Sequence, residues 1–233
     1  MTQIKPILVF VHGWLANKNY WSKILPSFEN IFEVCTLDLP GFGENPKPSE
    51  TWDITNYANW LENFLKKKFG DKKINLIGHS FGGAVALKYT FQNQNLVEHL
   101  ILYSPKLVPT KNFWTIFSKI FRLPAKLIPT KIRKKFAEKI LNLAESDFYI
   151  SQHLEEIYKK ILQTDLRLEA KNLETKTLII GGKLDSAVPE KNLKLFHKLI
   201  KNSQIKIFDD AGHFLHLENP ILFSLTIKNF LLE

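Results

Sequence analysis

Short apolar segments alternate with segments of helical periodicity along most of the chain, and few folds accommodate this order. The apolar segments are 7–11, 32–38, 73–78, 97–103, 176–181 and 204–208. Some, such as ILVFV at 7–11, lack polar alternation, which is typical of strands buried on both faces of a parallel sheet. Helical spacing occurs between them at 55–69, 81–93, 189–200 and 218–231. The order predicts an α/β protein with an open, mostly parallel sheet of about six strands flanked by helices.

The alternation breaks once, between about 104 and 170, where no segment has the pattern of a strand. Apolar residues in this region recur at helical spacing over 112–122, 131–143 and 151–162. We therefore expect 104–170 to be a helical insertion before the penultimate strand. The core domain would then consist of 1–103 and 171–233.

The net charge of +9 is concentrated in one segment. Residues 105–139 contain ten Lys and Arg against one acidic residue, and the rest of the chain holds 22 basic and 22 acidic residues. Any electrostatic partner therefore has to be sought at this segment. Three interpretations stay open: a docking surface for an acidic partner such as an acyl carrier protein, a membrane-surface element, and a solvated face. Nucleic acid is not expected, because no binding motif accompanies the charge.

The composition favours a cytoplasmic protein. Cys35 is the single cysteine, so an internal disulfide is excluded. The apolar run at 7–11 is short and lacks a small-residue cleavage site, so it does not resemble a signal peptide. No apolar stretch approaches the roughly 20 residues that would cross a bilayer.

The sequence GHSFGG at 78–83 carries the strongest chemical signal. It follows a predicted strand and precedes a predicted helix, which is the setting of a nucleophile at the top of a sheet. The glycines permit the tight turn, and the amides at the helix start point toward developing negative charge. We interpret Ser80 as a nucleophile. The alternative is a glycine-rich helix start with Ser80 as its capping residue.

A serine nucleophile needs a base and an orienting acid, and the chain offers both. Asp185 follows the predicted strand at 176–181, and His213 follows the one at 204–208. Because parallel strands share one carboxyl edge, we expect both side chains at the edge that carries Ser80. The sequence therefore predicts a triad of Ser80, Asp185 and His213.

Other residues compete for these roles. His216 forms a His-x-x-His pair with His213, but no Glu follows the first histidine, so we expect neither a metal nor another cofactor. Asp209 and Asp210 are alternative acids, although their place directly after a strand favours a turn. Surface positions are expected for His99, His153 and His197.

Acyl transfer also requires donors for the oxyanion. One is the backbone N–H of Phe81, directly after the nucleophile. We assign the second to the N–H of Trp14, in the HGW loop at 12–14 after the first strand. The alternative for this loop is a plain turn in which His12 hydrogen-bonds the loop.

Together these pieces resemble the α/β-hydrolase superfamily over nearly all of residues 6–233. The matching motifs are HGW at 12–14, DLPGFG at 38–43, GHSFGG at 78–83, GGKLD at 181–185 and AGHFLHLENP at 211–220. The resemblance implies that Ser80, Asp185 and His213 form the triad and that 104–170 is a helical cap over the active site. Two departures stand out. Relatives commonly carry a serine where this chain has Asn45, and the usual leading hairpin is missing, which predicts six strands instead of eight.

The resemblance implies a serine carboxylesterase, because Ser80 occupies the position of the nucleophile. The dehalogenase and epoxide-hydrolase branches of the superfamily use a carboxylate there. The resemblance extends to the small carboxylesterases, including the pimeloyl-carrier-protein methyl ester esterase group. Lactonase, thioesterase and carbon–carbon bond hydrolase activities stay open, as does a catalytically silent binding protein. We expect a small-molecule ester with an apolar, small to medium acyl group. Its candidate contacts, which also suit cap-to-core packing, are Phe113, Trp114 and Phe117.

Overall fold

Six strands form one parallel sheet in the computed structural model, which describes residues 5–109 and 152–233. Their order across the sheet is β2-β1-β3-β4-β5-β6. The predicted fold class is confirmed, and the strand bounds lie within one residue of the predicted ones. The strands are β1 Ile7–Val11, β2 Glu33–Leu37, β3 Ile74–His79, β4 Val97–Tyr103, β5 Lys176–Gly182 and β6 Ser203–Phe208.

Helices connect the strands and follow the last one. Short 3-10 helices also occur at Lys18–Trp21, Leu25–Ser27 and Gln94–Leu96. The α-helices in the described ranges are α1 Ile54–Phe69, α2 Phe81–Gln92, α3 Gln152–Leu162, α4 Arg167–Lys171, α5 Glu190–Leu199, α6 Leu215–Glu218 and α7 Pro220–Leu232. None of these is long and apolar enough to span a membrane.

The predicted helix at 218–231 corresponds to α7, which begins two residues later than predicted and is separated from the short α6. The break lies at Asn219, whose side chain accepts a hydrogen bond from the N–H of Leu222 and so caps α7. Pro220 then occupies the first turn, where its missing N–H costs nothing. The sequence Asn-Pro thus starts a new helix.

Apolar side chains pack on both faces of the sheet. Ile7, Val9 and Val11 belong to a cluster with α1, α2, α3 and α5. Leu8 and Phe10 point to the other face and join a cluster with the segment 20–32 and α7. Burial on both faces explains why the first strand is continuously apolar.

The predicted insertion is described only in part. Helix α3 corresponds to the predicted helix at 151–162, and its buried residues Leu154 and Ile157 pack into the core cluster on one face of the sheet. The predicted helices at 112–122 and 131–143 lie outside the described residues. The division into a core and a cap therefore stays a prediction.

Asn45 lies in the turn after β2 and takes part in its hydrogen bonds. The amide of Asn45 donates to the carbonyl of Asp38 at 2.9 Å. The carboxylate of Asp38 in turn accepts from the backbone N–H groups of Lys18 at 2.6 Å and Glu44 at 3.1 Å. Asn45 thus helps to close this turn.

Candidate active site

Ser80 stands on a strained turn between β3 and α2. Its φ of 52° and ψ of −112° lie outside the regions that L-residues ordinarily adopt, and the residue is partly exposed. The turn needs glycine on both sides. A Cβ on Gly78 would lie 2.3 Å from the carbonyl oxygen of Gly82, and one on Gly82 would lie 2.3 Å from that of His12. The sequence therefore specifies a tight turn that leaves Ser80 partly exposed.

Asp185 and His213 meet at the carboxyl edge of the sheet, in the loops after β5 and β6. The Nδ1–H of His213 donates to Oδ2 of Asp185 at 2.7 Å. The other carboxylate oxygen accepts from the N–H groups of Ala187 at 2.8 Å and Val188 at 2.9 Å. Because Nδ1 carries the proton, the lone pair of the neutral ring lies on Nε2.

The surroundings keep Asp185 ionised. Its side chain is fully buried, whereas 17% of the His213 side chain is exposed. Burial opposes ionisation of the carboxyl, but the hydrogen bond from His213, its charge and the N–H of Val188 outweigh burial and lower the pKa of Asp185. The pair thus combines a buried carboxylate with an accessible imidazole.

The structure brings this pair close to the turn of residues 78–82 that carries Ser80, called the elbow below. The loop of His213 contacts the elbow through His79, whose ring centroid lies 4.6 Å from that of His213. No hydrogen bond joins the hydroxyl of Ser80 to His213 in the part of the chain that is described. Such bonds commonly tighten only when substrate binds.

The loop after β1 packs directly on the elbow. A Cβ on Gly13 would lie 2.9 Å from the ring of His79, and the rings of Trp14 and Phe81 have centroids 5.3 Å apart. Within the described ranges, the backbone N–H groups of Trp14 and Phe81 make no hydrogen bond. Both remain available to a ligand.

His12 links this loop to the one after β2. Its Nε2 accepts from the N–H of Leu39 at 3.0 Å, and its Nδ1–H donates to the carbonyl of Gly13 at 2.8 Å. Burial is the main reason that the pKa of His12 falls to about 4. His12 is thus a neutral structural bridge, as in the alternative given for the HGW loop.

Within the described residues, the competing acids make no hydrogen bond to the imidazole of His213. Asp209 and Asp210 are exposed in the turn after β6. The carboxylate of Asp209 pairs with the ammonium of Lys183 at 2.9 Å. Neither replaces Asp185 as the partner of His213.

Two of the histidines expected at the surface, His99 and His197, are partly exposed. The ring of His99 bonds the side chain of Asn75 at 2.8 Å, its register partner on β3. The ring of His197 bonds the hydroxyl of Ser203 at 2.9 Å. Each of these two rings therefore has a polar neighbour. The side chain of His153 lies outside the described residues.

The candidate substrate contacts Phe113, Trp114 and Phe117 also lie outside the described residues. Close to the elbow, the ring of Trp14 contacts those of Phe42 and Tyr158, each with a centroid distance of 4.8 Å. Sequence reasoning missed these aromatic neighbours. Phe42 stands inside the DLPGFG motif, which could have suggested it.

Four further buried side chains surround the loop of His213, and sequence reasoning assigned none of them a role in the site. His79 and Tyr103 both contact the carbonyl of His213, at 3.0 Å and 2.9 Å. Tyr20 and His216 complete the group. The position of His79 inside GHSFGG could have pointed to it. Tyr103 could have been suggested by its hydroxyl group at the end of a buried strand. Among the residues described, no group of three or more side chains could hold a metal ion.

Known proteins resemble this chain over nearly its full length. A family model described as alpha/beta hydrolase fold matches residues 6–123 and 110–220. Pimeloyl-[acyl-carrier protein] methyl ester esterase from Legionella pneumophila (strain Lens) is 27% identical over 236 residues, which cover 96% of this chain and 94% of that protein.

Two solved structures have the same fold. MenH from S. aureus superposes with a TM-score of 0.77 at 25% identity, covering 99% of this chain and 94% of that chain. An esterase from Exiguobacterium antarcticum gives a TM-score of 0.80 at 21% identity, covering 99% and 93%. At this identity the second likeness concerns the fold alone.

Proposed function

Since the chain belongs to the alpha/beta hydrolase fold family, we propose that it is a serine hydrolase that cleaves carboxylic esters through an acyl-enzyme intermediate. The observation that carries the proposal is the 2.7 Å bond between Asp185 and His213. It leaves the Nε2 lone pair of an accessible imidazole at the sheet edge that also bears the strained Ser80.

The reaction follows from these positions. Nε2 of His213 takes the proton of Ser80 while Oγ attacks the ester carbonyl carbon, and the carbonyl oxygen becomes an oxyanion. The N–H groups of Trp14 and Phe81 donate to that oxyanion. The imidazolium, stabilised by Asp185, protonates the departing alcohol. Water then attacks the acyl-enzyme by the same route and releases the acid and free Ser80.

The aromatic surroundings of the elbow support an apolar acyl group. Trp14, Phe42 and Tyr158 form a contiguous aromatic cluster beside Phe81. The relative from Legionella pneumophila is named for a methyl ester on an acyl-carrier protein. That name and the basic segment 105–139 both favour an ester presented by an acidic carrier protein, whose approach the charge would accelerate.

A phosphonate that labels activated serines tests the nucleophile. We expect stoichiometric labelling of the wild-type protein and of Ser27→Ala, a control at an exposed serine. Ser80→Ala should resist labelling and lose about 10⁵-fold or more in kcat toward p-nitrophenyl esters. Wild-type protein that stays unlabelled would instead indicate a silent binding protein.

A substrate panel then defines the chemistry. p-Nitrophenyl esters of graded acyl length, a lactone and a thioester are compared on wild type and Ser80→Ala. We expect medium-length esters to give the highest kcat/KM. At low salt, kcat/KM for an acyl ester linked to a carrier protein should exceed kcat/KM for the same free ester. This ratio should decrease as added salt screens the charges. A salt-independent ratio would contradict carrier docking.

A further inference from the structure

The backbone carbonyl of His213 accepts two hydrogen bonds from buried side chains. Nε2 of His79 lies 3.0 Å from this oxygen, and the hydroxyl of Tyr103 lies 2.9 Å from it. A carbonyl oxygen can only accept, so both side chains donate. Two buried side chains therefore hold His213, the residue of the proposed base, through its backbone carbonyl.

The sheet places these two donors side by side. His79 and Tyr103 are register partners at the ends of β3 and β4, and their ring centroids lie 4.4 Å apart. Both residues are buried. His79 also directly precedes Ser80. One side chain therefore joins the turn of the proposed nucleophile to the loop of the proposed base.

The remaining bonds fix where the protons lie. His79 donates from Nε2, so its Nδ1 accepts from the hydroxyl of Tyr20 at 3.0 Å. Tyr103 gives its one proton to the carbonyl of His213, so its oxygen accepts from Nδ1–H of His216 at 3.2 Å. In this network His79 donates from Nε2 and accepts at Nδ1, which requires its ring to be neutral. His216 donates from Nδ1, and its Nε2 is buried without a hydrogen-bond partner among the described residues.

Burial keeps these rings neutral. It is the largest cause that lowers the pKa of His79 well below its usual value, followed by the charges of His213 and His216. Burial likewise lowers the pKa of His216 to about 3. A second cation is therefore absent beside His213 when its own ring becomes an imidazolium.

We propose that His79 and Tyr103 are positioning residues, whose two hydrogen bonds to the carbonyl of His213 hold the imidazole within reach of Ser80. The proposal rests on the proposed function of Ser80 and His213. Neither residue touches the reacting atoms. They act through the backbone of the base, and a displacement of about 1 Å at a catalytic group can cost about 10²-fold in rate.

The variant Tyr103→Phe removes the hydroxyl and keeps the ring. We expect kcat and the rate of phosphonate labelling at Ser80 to fall about 10- to 100-fold, with KM changed less than about twofold because the side chain is fully buried. The matched control is Tyr57→Phe. It also loses a buried tyrosine bond to a carbonyl, that of Pro40 at 3.2 Å, and should retain wild-type rates.

A second pair of variants tests the donor at position 79. His79→Gln keeps an N–H that can reach the carbonyl of His213, and His79→Leu does not. We expect His79→Gln to keep most of the kcat that His79→Leu loses. If the two variants lower kcat equally while both unfold cooperatively, the positioning role is overturned. This pair also serves if Tyr103→Phe fails to fold.

Proton NMR gives a readout that does not depend on turnover. The resonance of the Nδ1–H of His213, bonded to Asp185, should shift or broaden in Tyr103→Phe and stay unchanged in Tyr57→Phe. If wild-type Ser80 resists labelling, the proposed function fails and this measurement still tests the position of the ring. If wild type is labelled and Tyr103→Phe matches it in rate and resonance, the positioning inference alone is overturned.

Discussion

His213 and His79 lie with ring centroids 4.6 Å apart, and the two rings have opposite surroundings. His213 is partly exposed and bonded to the ionised Asp185. His79 is enclosed by aromatic rings, and its partners are a tyrosine hydroxyl and a backbone carbonyl. A carboxylate stabilises a protonated imidazole, whereas burial without one excludes the charge. Residue type and position alone therefore do not make a base; an acid partner and access to the substrate do.

Removing the carboxylate should abolish this difference. In Asp185→Asn the side-chain oxygen can still accept the N–H of Val188, so the loop keeps its local bonds. The imidazolium loses its counter-charge and the ring its fixed tautomer. We expect kcat to fall about 10⁴-fold. Steady-state kinetics on a p-nitrophenyl ester measure the loss. A decrease smaller than about tenfold would contradict the role of Asp185.

The fold was predictable because its determinants are local. A short apolar run predicts each strand. Parallel strands joined by helices can then be connected in only a few topologies. The carboxyl edge then follows, and with it the neighbourhood of Asp185 and His213. The start of the last helix was also visible in principle, at the sequence Asn219-Pro220.

The network around the carbonyl of His213 was not predictable in this way. His79 and His213 are 134 residues apart, and no pattern along the chain marks their contact. Tyr20 belongs to a short 3-10 helix without the periodicity of a strand or long helix. Such contacts depend on strand order and side-chain direction together. The contacts of His99 and His197 with their polar neighbours have the same origin.

The buried rings should make stability depend on pH. Free histidine titrates near pH 6.5, whereas burial lowers the pKa of His12 to about 4 and that of His216 to about 3. Between these values only the unfolded chain binds the protons, so the free energy of unfolding decreases as pH falls from 7 to 5. Each ring contributes about 2 kcal/mol to this decrease. Urea unfolding at several pH values measures it.

Variants separate this effect from general acid sensitivity. His216→Leu should show a shallower slope of unfolding free energy against pH, by about one proton near pH 5.5. Thr90→Val removes a different buried polar side chain that does not titrate in this range, and it should keep the wild-type slope. Equal slopes in wild type and His216→Leu would show that this ring is not kept neutral by the fold.

The smallest effect is expected at the other acid on the same sheet edge. Asp209 follows β6 as Asp185 follows β5, yet it is exposed and its partner is Lys183. An exposed ion pair contributes little, because water solvates both charges. Asp209→Asn should therefore leave kcat within about twofold of wild type, and the melting temperature unchanged within error. The same assay as for Asp185→Asn gives the comparison. A large loss of kcat in Asp209→Asn would mean that carboxylate position along the edge, and not burial against His213, determines which acid serves the base.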